Sequence, residues 1–134
     1  MAIEMVMSTG AGLSLSWAMD GLNEWMAVEV GRPGEPDLDL PGDAVDVSDH
    51  VDWEGYLGVG IVGITPAWHV PNEGCPEMPW AYRLGFSNGS SLVIALGAAE
   101  GSGFRYAPDE LVVFFDETLA ASYKIPASDT SALG

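Results

Sequence analysis

The chain is poor in positive charge. Only four of its 134 residues are basic, Arg32, Arg83, Arg105 and Lys124, against 20 acids, which gives a formal net charge of −16. So few cations exclude an electrostatic grip on phosphate, because nucleic acids and anionic membranes are held by clustered Lys and Arg. Neither nucleic acid nor membrane is expected as a partner. Cysteine is almost missing too: Cys75 stands alone, which excludes an internal disulfide and agrees with a reducing compartment. No stretch reaches the roughly 18 apolar residues of a membrane span. The start Met-Ala-Ile-Glu-Met-Val-Met also lacks the basic head and long apolar stretch of a secretory signal. A cytoplasmic protein is the expectation. There is no repeat of fixed period.

What is abundant is acid and apolar bulk. Hydrophobic residues make up 48% of the chain, with five Trp, four Phe and four Tyr, enough to build one core in a domain of this length. The acids should draw basic protein surfaces or cations.

Two turn signals organise the strands. Residues 13 to 30 carry a helical stripe (Leu15, Met19, Leu22, Met26, Val30), but Asp20-Gly21 in its middle is a favoured two-residue hairpin turn. A hairpin there pairs Trp17 with Glu24, Leu15 with Met26 and Leu13 with Val28. One register then gathers the apolar residues on one face with only Glu24 out of place, so the hairpin is preferred. Asn88-Gly89 predicts a second hairpin, pairing Phe86 with Ser91, Leu84 with Val93 and Tyr82 with Ala95.

Between them lie an acidic loop over about 31–54, with prolines at 33, 36 and 41, and a Pro-rich loop over about 66–80. Strand character shows at 56–65 and in Leu111-Val-Val-Phe-Phe115, and the link between 97 and 111 reads as connection. Asp116 predicts the cap of a helix through Tyr123 that Pro126 would stop. Residues 1–125 are thus expected to form a single α+β domain dominated by antiparallel β-sheet, with two tight hairpins and one C-terminal helix. Residues 126–134 read as a disordered tail.

Several catalytic patterns match literally and fail on context. Gly85-Phe-Ser-Asn-Gly89 fits GxSxG, yet the elbow needs a helix after the serine, and Ser-Ser-Leu-Val-Ile-Ala-Leu reads as strand. His50 and His69 both precede Ser87, against the order of that triad. Ser87 reads as a turn residue. Gly58-Val-Gly-Ile-Val-Gly63 fits GxGxxG, but Pro66 and Pro71 deny the helix whose N-terminus would face a pyrophosphate. Leu57, Val59 and Ile61 read instead as one apolar strand face, with the glycines as room for close packing.

Asp37-Leu-Asp-Leu-Pro-Gly-Asp43 opens like a calcium loop, but its twelfth position is Ser48 rather than Glu. His69, Glu73, Cys75 and Glu77, or His50 with Asp52, lack the paired spacing that defines a zinc site. No cofactor, metal or catalytic residue is assigned.

The pattern favours binding over catalysis. Eight acids lie between Glu35 and Glu54, roughly 9 Å apart if extended. Tryptophans stand beside them, and aromatic anchors next to complementary charge characterise protein interfaces. The expected partner-binding residues are Asp37, Asp39, Asp43, Asp46, Asp49, Asp52, Trp53, Trp68 and Trp80, with Trp25 a further exposed-aromatic candidate. The partner would be a basic protein, as a toxin is for an immunity protein or a nuclease for its inhibitor. The alternatives are a small enzyme using carboxylates or a divalent metal, and a structural subunit of a homo-oligomer with the apolar run Leu92–Leu96 at the subunit contact.

Overall fold

In the computed structural model, which describes residues 2–8, 10–21, 23–31, 47–69, 73–101, 103–107 and 109–123, the chain opens with an antiparallel meander. Its strands β1 (Ala2–Val6), β2 (Gly12–Asp20) and β3 (Asn23–Val30) lie in that order. Leu13, Leu15 and Met26 are buried on its inner face. Ser14, Ser16 and Ala18 take the opposite face, as the period of two requires. Strand β1 was not expected, although half-buried Ile3 and Met5 alternate with exposed Glu4 and Val6.

The first hairpin forms, with its turn one residue later than predicted. Asp20 pairs with Asn23, and Gly21 opens the turn at φ +64°, a conformation that favours glycine. Leu15 therefore meets Val28 instead of Met26. This slip of two residues returns every side chain to its predicted face.

The second sheet has the order β4-β5-β6-β9, from β4 (Ile61–His69), β5 (Met78–Phe86), β6 (Ser91–Leu96) and β9 (Leu111–Phe114). Strands β7 (Ala98–Glu100) and β8 (Gly103–Arg105) form a small hairpin in the stretch expected to be only a link. Helix α1 (Glu117–Ser122) starts at Asp116, whose side chain accepts the Thr118 N–H at 2.8 Å. This is mostly antiparallel sheet with, among the described residues, a single short α-helix, an α+β architecture. The expected tail lies outside the described residues.

In the β5–β6 hairpin the turn again overrules the prediction. Ser87, Asn88 and Gly89 form the loop: Phe86 N–H donates to Ser90 O at 2.9 Å, Gly89 N–H to Phe86 O at 3.0 Å, and Gly89 sits at φ +84°. Asn88 Oδ1 accepts the Ser90 N–H at 3.0 Å. The glycine ends a three-residue loop, a common hairpin connection, rather than filling the second place of a two-residue one. Leu84 therefore faces Leu92, not Val93. A slip of one normally exchanges a strand's two faces, but Leu92 to Leu96 are all buried, so this apolar pattern held no record of register. The same burial places β6 inside the fold, between β5 and β9, and not at a subunit contact.

The predicted strand 56–65 and Pro-rich loop 66–80 are displaced. Residues 54–58 turn after a short 3₁₀ segment, Val51–Trp53, and β4 continues through Pro66 to His69. Proline is tolerated there because β4 is an edge strand. Phe86 bonds to Ser90, so Phe86, Leu84 and Tyr82 turn their backbone groups to β6, while Gly85, Arg83 and Ala81 bond to β4. Pro66, opposite Tyr82, therefore points its ring nitrogen away from the sheet.

The layers join at one core. Leu13, Leu15 and Met26 of the meander share it with Trp80, Leu84 and Ile94 of the second sheet and with Ala120 and Tyr123 at α1. Tyr82 Oη donates to Met26 O across the layers at 3.1 Å. Phe114, opposite Val93, packs on Phe104 and Tyr123 at ring-centroid distances of 4.7 and 5.3 Å. Tyr123 Oη donates to Leu96 O at 2.6 Å and lies 3.3 Å from Arg105 O.

Gly97 is where backbone and ring meet. A Cβ there would stand 3.0 Å from Tyr123 Cζ, 3.1 Å from Arg105 O and on top of the phenol oxygen. Gly97→Ala is expected to cost roughly 1–3 kcal/mol of stability, read as a lower urea midpoint at unchanged m. Gly63→Ala, into open space, is the control and should leave the midpoint nearly unmoved.

Burial raises the ionisation of Tyr82, Tyr106 and Tyr123 above the ordinary phenol value of 10.0, with the Glu24 carboxylate adding to the effect at Tyr106. Above that value the unfolded chain releases protons that the folded chain keeps. Stability present at neutral pH should therefore fall as pH rises beyond about 10, with Tyr123 alone contributing up to about 1.4 kcal/mol per pH unit. Urea midpoints along an alkaline series check this, and Tyr123→Phe should make the decline shallower.

Candidate functional site

Asp37, Asp39, Asp43 and Asp46, with the incomplete calcium-loop pattern, lie outside the described residues. The other predicted positions divide. Asp49 and Asp52 are exposed at the 3₁₀ segment, where His50 Nδ1 accepts the Asp52 N–H at 3.2 Å and lies 3.5 Å from its carboxylate. A nitrogen accepting that N–H has no proton for the carboxylate, so the histidine serves here as a cap. Trp53 is half-buried, with its ring edge-on to Phe115 at 5.0 Å and to Tyr56 at 6.4 Å.

Trp80 corrects the expectation. It is 0% exposed and stacks near Tyr123 in the core, so it offers no surface to a partner. Trp25 shares the face of Ser14, Ser16 and Ala18 and is half-buried, with its indole nitrogen buried.

Trp68 is the predicted anchor that reaches solvent, at 44% exposed. It belongs to β4, together with exposed Ile64 and Val62, which is 70% exposed. These form an apolar ledge because β3 packs on β5 and β6, leaving the edge strand beside them outside its cover. The register shifts between Ile61 and Gly63 and between Ala67 and Trp68 bound the regular part of the ledge. Ile64 and Val62 were missed because this stretch was divided between a strand and a loop. The alternation Ile64-x-Pro66-x-Trp68 was the available signal, and it reads as an edge strand once proline is allowed there.

Acids follow one end of β4. Exposed Glu73 and Glu77 lie in the connection from His69 to Met78. Exposed Asp49, Asp52 and Glu54 belong to a different place: Trp53, between them, packs on Phe115 just after β9, the strand at the opposite edge of the sheet from β4. Ser87 N–H donates to Gly60 O at 2.8 Å, Asn88 Nδ2 reaches Gly55 O at 3.5 Å and Tyr56 Oη donates to Ser91 O at 2.8 Å. The nine residues of β4 separate its two ends by roughly 26 Å. Trp68 on β4 and the Asp49–Trp53 group, which packs beside β9, are therefore not one cluster.

The catalytic patterns take no catalytic shape. Ser87 is exposed in a turn that leads into β6, with no helix after it. The GxGxxG stretch leads into β4, and Gly58 turns at φ +75°. Side chains added at Gly58 or Gly63 would meet nothing within 4 Å, so these glycines do not serve close packing. Leu57 is 53% exposed and leaves the apolar face expected of it with Val59 and Ile61. Among the described residues no three of His, Cys, Asp and Glu gather as a metal-binding group, and no helix is long and apolar enough to cross a membrane.

Comparison with protein-family models, with curated proteins and with solved structures finds no match for this chain.

The two tryptophans should separate cleanly. Trp80→Ala is expected to cost about 3–5 kcal/mol, whereas Trp68→Ala should stay within about 0.5 kcal/mol of the parent. Urea unfolding measures both, and acrylamide should quench less of the fluorescence in Trp68→Ala than in the parent.

Proposed function

We propose that this protein binds and neutralises a basic protein partner, as an immunity protein does for a toxin or an inhibitor for a nuclease. The observation that carries the reading is the apolar ledge of β4, with Trp68 exposed and exposed Glu73 and Glu77 in the connection that follows it, on a chain of net charge −16. An apolar strip alone would recruit many surfaces. With acid beside it, it selects a partner whose apolar contact is bordered by Lys or Arg.

Charge and ledge would act at different stages. Asp37, Asp39, Asp43, Asp46, Asp49 and Asp52 would raise the encounter rate with a basic surface. Trp68 and Ile64, which lose water only on docking, would hold the complex and lower its dissociation rate. A standard interface buries about 800 Å² per partner, a patch roughly 30 Å across. That span covers the length of β4 and the connection carrying Glu73 and Glu77.

The test is capture of partners from native lysate at low ionic strength, with elution by rising salt. A stoichiometric basic protein leaving late supports the reading; a diffuse spread leaving early counts against it. With the captured partner, Asp37, Asp39 and Asp43 changed together to Lys should slow association about tenfold or more and flatten its salt dependence. Trp68→Ala should instead speed dissociation, by about tenfold or more. Equal effects of both variants on both rates, measured by surface plasmon resonance, would refute this division of roles.

A further inference from the structure

Beyond the nature of the partner, the backbone of β4 suggests how it docks. We infer that a basic, extended segment of the partner adds to the open edge of β4 as an antiparallel strand, bonding to Ile64 and Pro66; this rests on the reading above that the partner is basic.

The ladder leaves three groups facing outward. Alternate residues of β5 turn to β6, beginning with Phe86 and its bond to Ser90, so Gly63, Thr65 and Ala67 of β4 use their groups on β5. Ile64 N–H, Ile64 C=O and Pro66 C=O are left pointing away from the sheet, since β4 ends the strand order among the described residues. Proline contributes no N–H. The edge therefore offers two acceptors and one donor, and an antiparallel strand can satisfy all three with two N–H groups and one C=O. Added strands of this kind gain affinity from the main chain and specificity from alternate side chains. Here the alternate side chains would continue the face that carries Ile64 beside Leu84. Trp68 would cover one end.

The charges choose the occupant. Exposed Glu73 and Glu77 stand in the connection that follows β4, on a chain of net charge −16, so a strand with Lys or Arg on its solvent side meets acid rather than cation. A second copy is the poorer occupant. It brings another −16 and a β4 with the same missing donor, which is how natural edges avoid self-pairing.

The probe is a peptide of alternating Lys and Val, about eight residues long, with poly-lysine as the unstructured comparison. Exchange of the Ile64 amide with solvent is followed by NMR at low salt. The expected result is saturable peptide binding that slows Ile64 exchange about tenfold or more. N-methylation of the peptide at the amides facing β4, or Ile64→Pro in the protein, should weaken binding about tenfold. If the peptide binds while Ile64 exchanges at its free rate, or the N-methylated peptide binds equally well, strand addition is wrong and the basic-partner reading stands. Binding of poly-lysine but not of the alternating peptide would likewise overturn strand addition alone. If neither binds, both proposals fail.

Discussion

Phenolic hydroxyls tie the layers of this fold together. Each of the four tyrosines buries part of its ring and donates its O–H to a distant element: Tyr56 to Ser91 O, Tyr82 to Met26 O, Tyr106 to the Glu24 carboxylate and Tyr123 to Leu96 O. An aromatic ring can fill space while its polar tip meets a backbone carbonyl that would otherwise lose water without compensation. Two of these bonds, from Tyr82 and Tyr106, end on β3 and so locate the meander. Tyr123 does the same for the C-terminal helix, and its ring leaves room for nothing larger than glycine at position 97.

That placement has a consequence at the surface. With β3 set over β5 and β6, the second sheet projects past it by one strand. A projecting strand rich in Val, Ile and Trp is a hazard, because open edges invite pairing. Pro66 withholds a donor from the edge, two irregularities in the pairing with β5 limit its regular length, and Glu73 and Glu77 stand in the connection that follows it. These devices discourage another copy of the chain. They are less of an obstacle to a donor-rich, positively charged strand, and the same features that protect the edge therefore define what could occupy it.

The architecture was more legible than the register. Alternation in β2 and β3 predicted the meander's inner face even though its turn was misplaced, because a shift of two conserves faces. In β6 the sequence Leu-Val-Ile-Ala-Leu is buried on both sides, and nothing in it separates one register from the next. Proline misled at β4, since position 66 breaks an interior strand but fits an edge, and edge or interior is a property of the assembled sheet. Strands β7 and β8 are three residues each, too short for alternation to show. Of the aromatic anchors, Trp68 and Trp80 look alike in sequence, each set in a proline-rich stretch; their exposure depends on what packs above them.

By itself the sequence determined the charge, the antiparallel class, the two glycine-bearing turns and the capped helix, because each follows from composition or from contacts a few residues long. The tertiary structure decided which tryptophan is buried and which strand is left at the edge. Those are long-range outcomes. They depend on where the tyrosine hydroxyls find carbonyls in other elements, and no local pattern in the chain encodes that distance.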